Sequence, residues 1–197
     1  MHRSRIFVTW ILLWAVLALA GCQLESGRDV GVPATAAQPS DLNFVEGKES
    51  FDKENWEDAV VEFSEVLKTN PRNALAFYYR GRSYIGLRRQ SDAIRDLAKA
   101  VELDPGLTLA YYYRGRAYRG LGPYTEAVAD LVKTLEADPE NNRAYYYRGR
   151  AYRSLGQYTE AVADLVKTLE VDPENTTAYY YRGRAYFSLG QYTEAVA

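Results

Sequence analysis

From about residue 40 to the last residue, one pattern recurs at a fixed interval of 34 residues, and no other feature constrains the fold as strongly. Pro71, Pro105, Pro139 and Pro173 are spaced by 34. So are Gly47, Gly81, Gly115, Gly149 and Gly183, and Ala59, Ala93, Ala127, Ala161 and Ala195. Segments 108–141 and 142–175 differ at only five positions. A period of this length means stacked supersecondary units, each unable to bury its apolar side alone.

Each unit reads as two helices. In 108–141 the first is expected from about Leu109 to Leu121, with Gly122 closing it at the C-terminal end. The second is expected from about Tyr124 to Glu136, where Ala127, Val128, Leu131 and Leu135 recur at helical spacing. Asp138-Pro139 then breaks the chain, since proline lacks a donor and restricts the residue before it. Gly115 and Ala127 are small where two helices must approach closely.

These residues resemble the tetratricopeptide repeat. Tyr111, Gly115, Tyr118, Ala127, Leu131 and Pro139 match that family's aromatic, small, aromatic, small, bulky and proline positions. The late alanine of the second helix departs, holding Thr134 and Thr168, though Ala100 obeys. The resemblance covers 41–197, with repeats at 40–73, 74–107, 108–141 and 142–175 and a partial one at 176–197. It implies an all-α fold, a right-handed superhelical solenoid of helix–turn–helix repeats. The first repeat is the most degenerate, with Asn43 and Ser50 at aromatic positions, as suits a terminal unit.

Helical geometry sorts the side chains. Tyr111, Arg114, Gly115 and Tyr118 share one face of the first helix, expected to pack. Arg80, Arg114, Arg148 and Arg182 lie on that side and are expected to pair with Asp96, Asp130 or Asp164 within the stack. Leu109, Tyr112, Tyr113, Arg116 and Arg119 lie opposite, on the side that in this family lines the concave, ligand-binding groove. Stacking makes ladders of Tyr78, Tyr112, Tyr146 and Tyr180 and of Arg82, Arg116, Arg150 and Arg184, with Arg119 and Arg153 added in the middle. The second helices carry Glu126, Asp130, Glu136 and their equivalents, so a formal net charge of −2 conceals a basic, aromatic inner face. Such a face suits an extended acidic or aromatic segment of a protein partner, or the carboxylates of an acidic polysaccharide.

Residue inventory argues against catalysis. His2 is the only histidine and Cys22 the only cysteine, both in the N-terminal segment. That leaves no His or Cys base and no Cys/His zinc set, so no enzyme activity, metal or cofactor is expected. The near-neutral charge, together with the export signal described next, argues against nucleic acid as a partner.

Residues 1–22 read as that signal. Arg3 and Arg5 precede an uncharged run from Ile6 to Ala20, shorter than the roughly 20 residues a membrane-spanning helix needs. Leu19-Ala20-Gly21-Cys22 resembles the lipobox of bacterial lipoproteins, which implies cleavage before Cys22 and a diacylglycerol-bearing thiol on an acylated terminus. The alternative is an uncleaved anchor ending by chance in Gly-Cys. Lipidation implies anchoring at the bacterial cell envelope among other envelope proteins, at the outer membrane if the source is Gram-negative, since Gln23 replaces the aspartate of inner-membrane retention. Residues 23–40 have no apolar periodicity and are expected to be a flexible tether. At the other end the last unit stops within its second helix. That stop is expected to be a truncation or an end that docks on another chain, with a helix near 177–190 and a short turn or frayed segment after it.

Overall fold

A computed structural model describes residues 39–195, and the signal segment, Cys22 and nearly all of the expected tether lie outside them. Ten α-helices follow one another in that stretch, and no strand occurs among the described residues. In chain order they are α1 (Pro39–Asp52), α2 (Trp56–Thr69), α3 (Ala74–Gly86), α4 (Gln90–Leu103) and α5 (Thr108–Leu121). They continue as α6 (Tyr124–Ala137), α7 (Asn142–Ser154), α8 (Tyr158–Val171), α9 (Thr176–Ser188) and α10 (Tyr192–Ala195). The two helices expected in 108–141 agree with α5 and α6 to within a residue at each end. α1 starts at Pro39, inside the segment expected as tether.

Odd-numbered helices are the first helices of the repeats and even-numbered ones the second. Each packs on its neighbours in the chain, and each first helix also meets the first helix of the next repeat. Among the described residues, no second helix approaches the second helix of the next repeat. The first helices therefore crowd together on one side while the second helices splay apart on the other. A stack built this way curves, with the first helices on its inner wall.

Close approach within a repeat depends on the recurrent glycine. A Cβ at Gly115 would stand 3.0 Å from Leu131 Cγ and 3.1 Å from the Ala127 carbonyl oxygen. At Gly81 it would meet Leu97 Cγ at 2.8 Å. Opposite these glycines, Ala93, Leu97, Ala127, Leu131, Ala161 and Leu165 are fully enclosed. Thr134 and Thr168 are enclosed as well, and their hydroxyls donate to the Asp130 and Asp164 carbonyls at 3.0 Å. A threonine fits the alanine position because its one polar atom finds a partner on the preceding turn.

Turn chemistry repeats too. Asn73, Asn141 and Asn175 cap α3, α7 and α9, each side-chain oxygen accepting from a backbone N–H three residues on. The turn inside each repeat needs one residue with positive φ, at positions 54, 88, 122, 156 and 190. The last three are glycine, but Glu54 and Arg88 occupy the same conformation at φ 59°.

Candidate functional site: the inner wall of first helices

Two sets of arginine leave the first helices, and the fold treats them differently. Arg80, Arg114 and Arg148 turn toward the second helix of their own repeat and form the expected pairs with Asp96, Asp130 and Asp164. Each is bidentate: Arg114 Nε donates to Asp130 Oδ2 and Nη2 to Oδ1, both at 2.7 Å. The Arg80 and Arg148 pairs repeat this geometry at 2.6–2.9 Å. The Asp130 and Arg114 side chains are 7% and 16% exposed. Burial pushes the Asp130 and Asp164 carboxyls up from the usual aspartate range, while their arginine partners pull the other way. These pairs hold a repeat together and offer little to a ligand.

The second set, one turn away, belongs to the inner wall. Here successive first helices pack through the tyrosines expected to stand open. Tyr78 is 2% exposed and Tyr112 4%, so neither presents a surface to a partner in the folded chain. Tyr78 meets Tyr113 of the next repeat edge to face at 6.0 Å between ring centroids, and Tyr112 meets Tyr147 likewise at 5.9 Å. Tyr146 is half-buried against Tyr181, and only Tyr180 is open, at 56%. A helical wheel assigns each first helix a single packing face. The stack gives it a second one, toward the next first helix, and that face takes two of the four ladder tyrosines out of reach. Conversely, Tyr111 and Tyr118, on the face expected to pack, and Tyr124 at the start of α6 are half-buried and not enclosed.

The ladder arginines differ junction by junction. Arg82 is sandwiched, its guanidinium 4.5 Å from the Phe51 ring centroid and 4.3 Å from Tyr113, with Nη1 donating to the Tyr78 hydroxyl at 3.1 Å. Arg150 bridges two repeats, donating from Nη1 to the Tyr146 hydroxyl at 3.0 Å and from Nη2 to the Tyr181 hydroxyl at 2.7 Å. It also lies 4.2 Å over the Tyr181 ring, with Arg153 at 5.3 Å. Arg184 donates to the Tyr180 hydroxyl at 3.1 Å, both residues exposed. At the middle junction Arg116 and Arg119 approach the Tyr147 ring at 5.6 and 5.5 Å. Arg119 is held below the usual guanidinium range, first by burial and then by the positive charge of Arg150.

Beyond α1, which carries Asp41, Glu46, Glu49 and Asp52, the first helices are free of acidic residues. The sequences of α3, α5, α7 and α9 contain no Asp or Glu, whereas α2, α4, α6 and α8 all do. Among the described residues no ladder arginine forms an ion pair, while the lysines of the second helices pair locally, as Lys133 does with Glu136. Also among the described residues, no three His, Cys, Asp or Glu side chains converge as a metal set. The wall formed by α3, α5, α7 and α9 is thus a positive, tyrosine-packed surface.

Sequence reasoning missed the asparagine caps and the aromatic sandwich around Arg82. Asn at 73, 141 and 175, just after the Pro71, Pro139 and Pro173 turns, was a signal for the first. The second needed Phe51 and Tyr113 brought together from different repeats.

No curated protein matches the chain in sequence. Among solved structures, a "Crystal structure of MamA protein" superposes with a TM-score of 0.76 at 28% identity, covering 82% of this chain and 88% of that one. A second MamA crystal structure gives 0.71 at 30% identity, covering 76% and 88%. A MamA fragment from Desulfovibrio magneticus RS-1 shares the fold at 0.76 with 21% identity, covering 81% and 90%. Models of tetratricopeptide repeats match residues 44–108 and 112–168, and a further repeat model matches 149–190. With well over half its length matched and its helices paired and stacked as those repeats require, the chain belongs to the tetratricopeptide-repeat family.

Proposed function

We propose that this protein is a lipid-anchored adaptor of the bacterial envelope that recruits other proteins by holding an extended segment along its inner wall. The tetratricopeptide fold is one of protein–protein interaction scaffolds, and that much comes with family membership. One observation supports the binding reading: four successive first helices, α3, α5, α7 and α9, carry arginine and no carboxylate along a single wall. A surface left unneutralised over several repeats attracts a chain of opposite charge, and contacts in several repeats sum where one exposed pair contributes only about 0–1 kcal/mol. The lipobox-like Leu19-Ala20-Gly21-Cys22 supports the anchor, with several acyl chains contributing about 0.8 kcal/mol per buried CH₂. The localisation follows from that motif.

The test is affinity capture from detergent-solubilised envelope with the full chain as bait. Discrete envelope proteins are expected to be retained at low salt and released as salt rises. Retention of acidic polysaccharide in place of proteins would replace the adaptor reading with a glycan-binding one. For the anchor, Cys22→Ser is expected to abolish incorporation of an alkyne-labelled fatty acid and leave the chain soluble after cell lysis. Labelling that persists in the variant would remove it.

A further inference from the structure

We infer that Arg116 and Arg119, gathered over the Tyr147 ring at the junction of α5 and α7, form the anion subsite of the inner wall, and that it takes the carboxylates of an extended Glu/Asp-rich peptide. This rests on the inner wall being the binding surface. Of the other ladder arginines only Arg153 also makes no hydrogen bond among the described residues, and the arginine beside it, Arg150, is already engaged. Arg80, Arg114 and Arg148 are closed on aspartates, and Arg82 and Arg150 donate to tyrosine hydroxyls within the stack. Arg116 and Arg119 accompany neither kind of acceptor: among the described residues neither makes a hydrogen bond, and Arg119 Nε is buried with no partner. A guanidinium carries five donors, so this pair presents an unusual surplus of unanswered N–H groups.

Its surroundings sharpen the point. Both cations lie within 6 Å of one ring centroid, on adjacent turns of one helix, with Arg150 close enough to disfavour the charge on Arg119. No carboxylate on α3, α5, α7 or α9 relieves that repulsion. An incoming anion would relieve it, and the ring already limits the guanidinium rotamers, so less freedom is lost on binding. The local shape selects a peptide over a sugar acid. Stacking a sugar needs an open aromatic face, and here the Tyr147 ring carries two guanidinia while Tyr112 is 4% exposed. A carboxylate at the end of a flexible side chain can reach the donors without such a platform.

The experiment is fluorescence anisotropy of labelled hexaglutamate with the full chain in detergent, alongside hexaglutamine and polygalacturonate as competitor. Wild type is expected to bind hexaglutamate and not hexaglutamine. Arg116→Gln with Arg119→Gln is expected to weaken binding about tenfold or more, as the loss of charge-assisted hydrogen bonds implies. Lys133→Gln with Lys167→Gln, an equal charge change on the second helices, is expected to change it by less than about twofold. Arg116→Lys with Arg119→Lys keeps the charge and loses the planar fork. It is expected to fall between the two and tests the subsite even if the glutamine variant melts early. Equal losses from the arginine and lysine pairs, full binding by either arginine variant, or stronger binding of polygalacturonate would overturn the inference. If envelope proteins are captured while hexaglutamate is ignored, this subsite falls and the adaptor stands. If neither binds, both fall.

Discussion

Asp130 accepts two hydrogen bonds from Arg114 in a site 7% exposed, and what happens when one partner is removed depends on the other. Asp130→Asn leaves a buried guanidinium without its counter-charge, so thermal or urea unfolding should show a loss of about 3 kcal/mol, the low end for a broken buried pair because the arginine is partly open. Replacing both, with Arg114→Met and Asp130→Leu, should recover most of that loss. The raised carboxyl agrees: burial works against the charged form even with arginine beside it. A second residue-scale prediction concerns Tyr78, whose phenol burial pushes up to about 12 from 10.0, with Arg82 pulling back. A folded value above the unfolded one means the fold favours the neutral phenol. Its contribution to stability is whole below pH 10 and drains away as pH climbs toward 12. Ultraviolet difference titration of wild type against Tyr78→Phe should reveal one phenol ionising near 12, and a difference curve centred near 10 would contradict the burial.

Elements are set by small residues and turns. Valine at Gly115 would press into Leu131 and the Ala127 carbonyl, the second of which is backbone and cannot rotate away. The expected cost is about 1–3 kcal/mol, visible as a lowered melting temperature, and an unchanged one would mean the helices are less close than described. The turn within each repeat offers the opposite experiment. Arg88 holds φ 59° where the later repeats have glycine, and an L side chain is strained there. Arg88→Gly should therefore raise stability by about 0.5–1 kcal/mol, the strain relieved exceeding the extra freedom glycine gives the unfolded chain. Removing a cap, as in Asn141→Ala, should cost about 1 kcal/mol by leaving the Ala144 N–H without its acceptor.

Across the whole molecule, each repeat touches only its neighbours, so stability should grade along the stack. Amide hydrogen exchange is expected to be slowest in the middle helices α4–α7 and faster in α9 and α10, which have fewer enclosed residues. Uniform protection throughout would indicate a single cooperative block.

The 34-residue period determined by itself that the repeat region is helical, where the two helices of 108–141 start and stop, and which glycines, alanines and leucines seal a repeat, because those demands are local and recur identically. It also named the arginines and aspartates that pair, while the stack decided that partners lie 16 residues apart within one hairpin. What a single helix could not reveal was its third neighbour. Contact between successive first helices enclosed Tyr78 and Tyr112, sandwiched Arg82, tied Arg150 to two tyrosine hydroxyls, and left Arg116 and Arg119 with unanswered donors. Near-identical repeats look equivalent in sequence, but Phe51, Ile85 and Arg119 differ between junctions, and only stacking places each difference against the ring or cation it acts on.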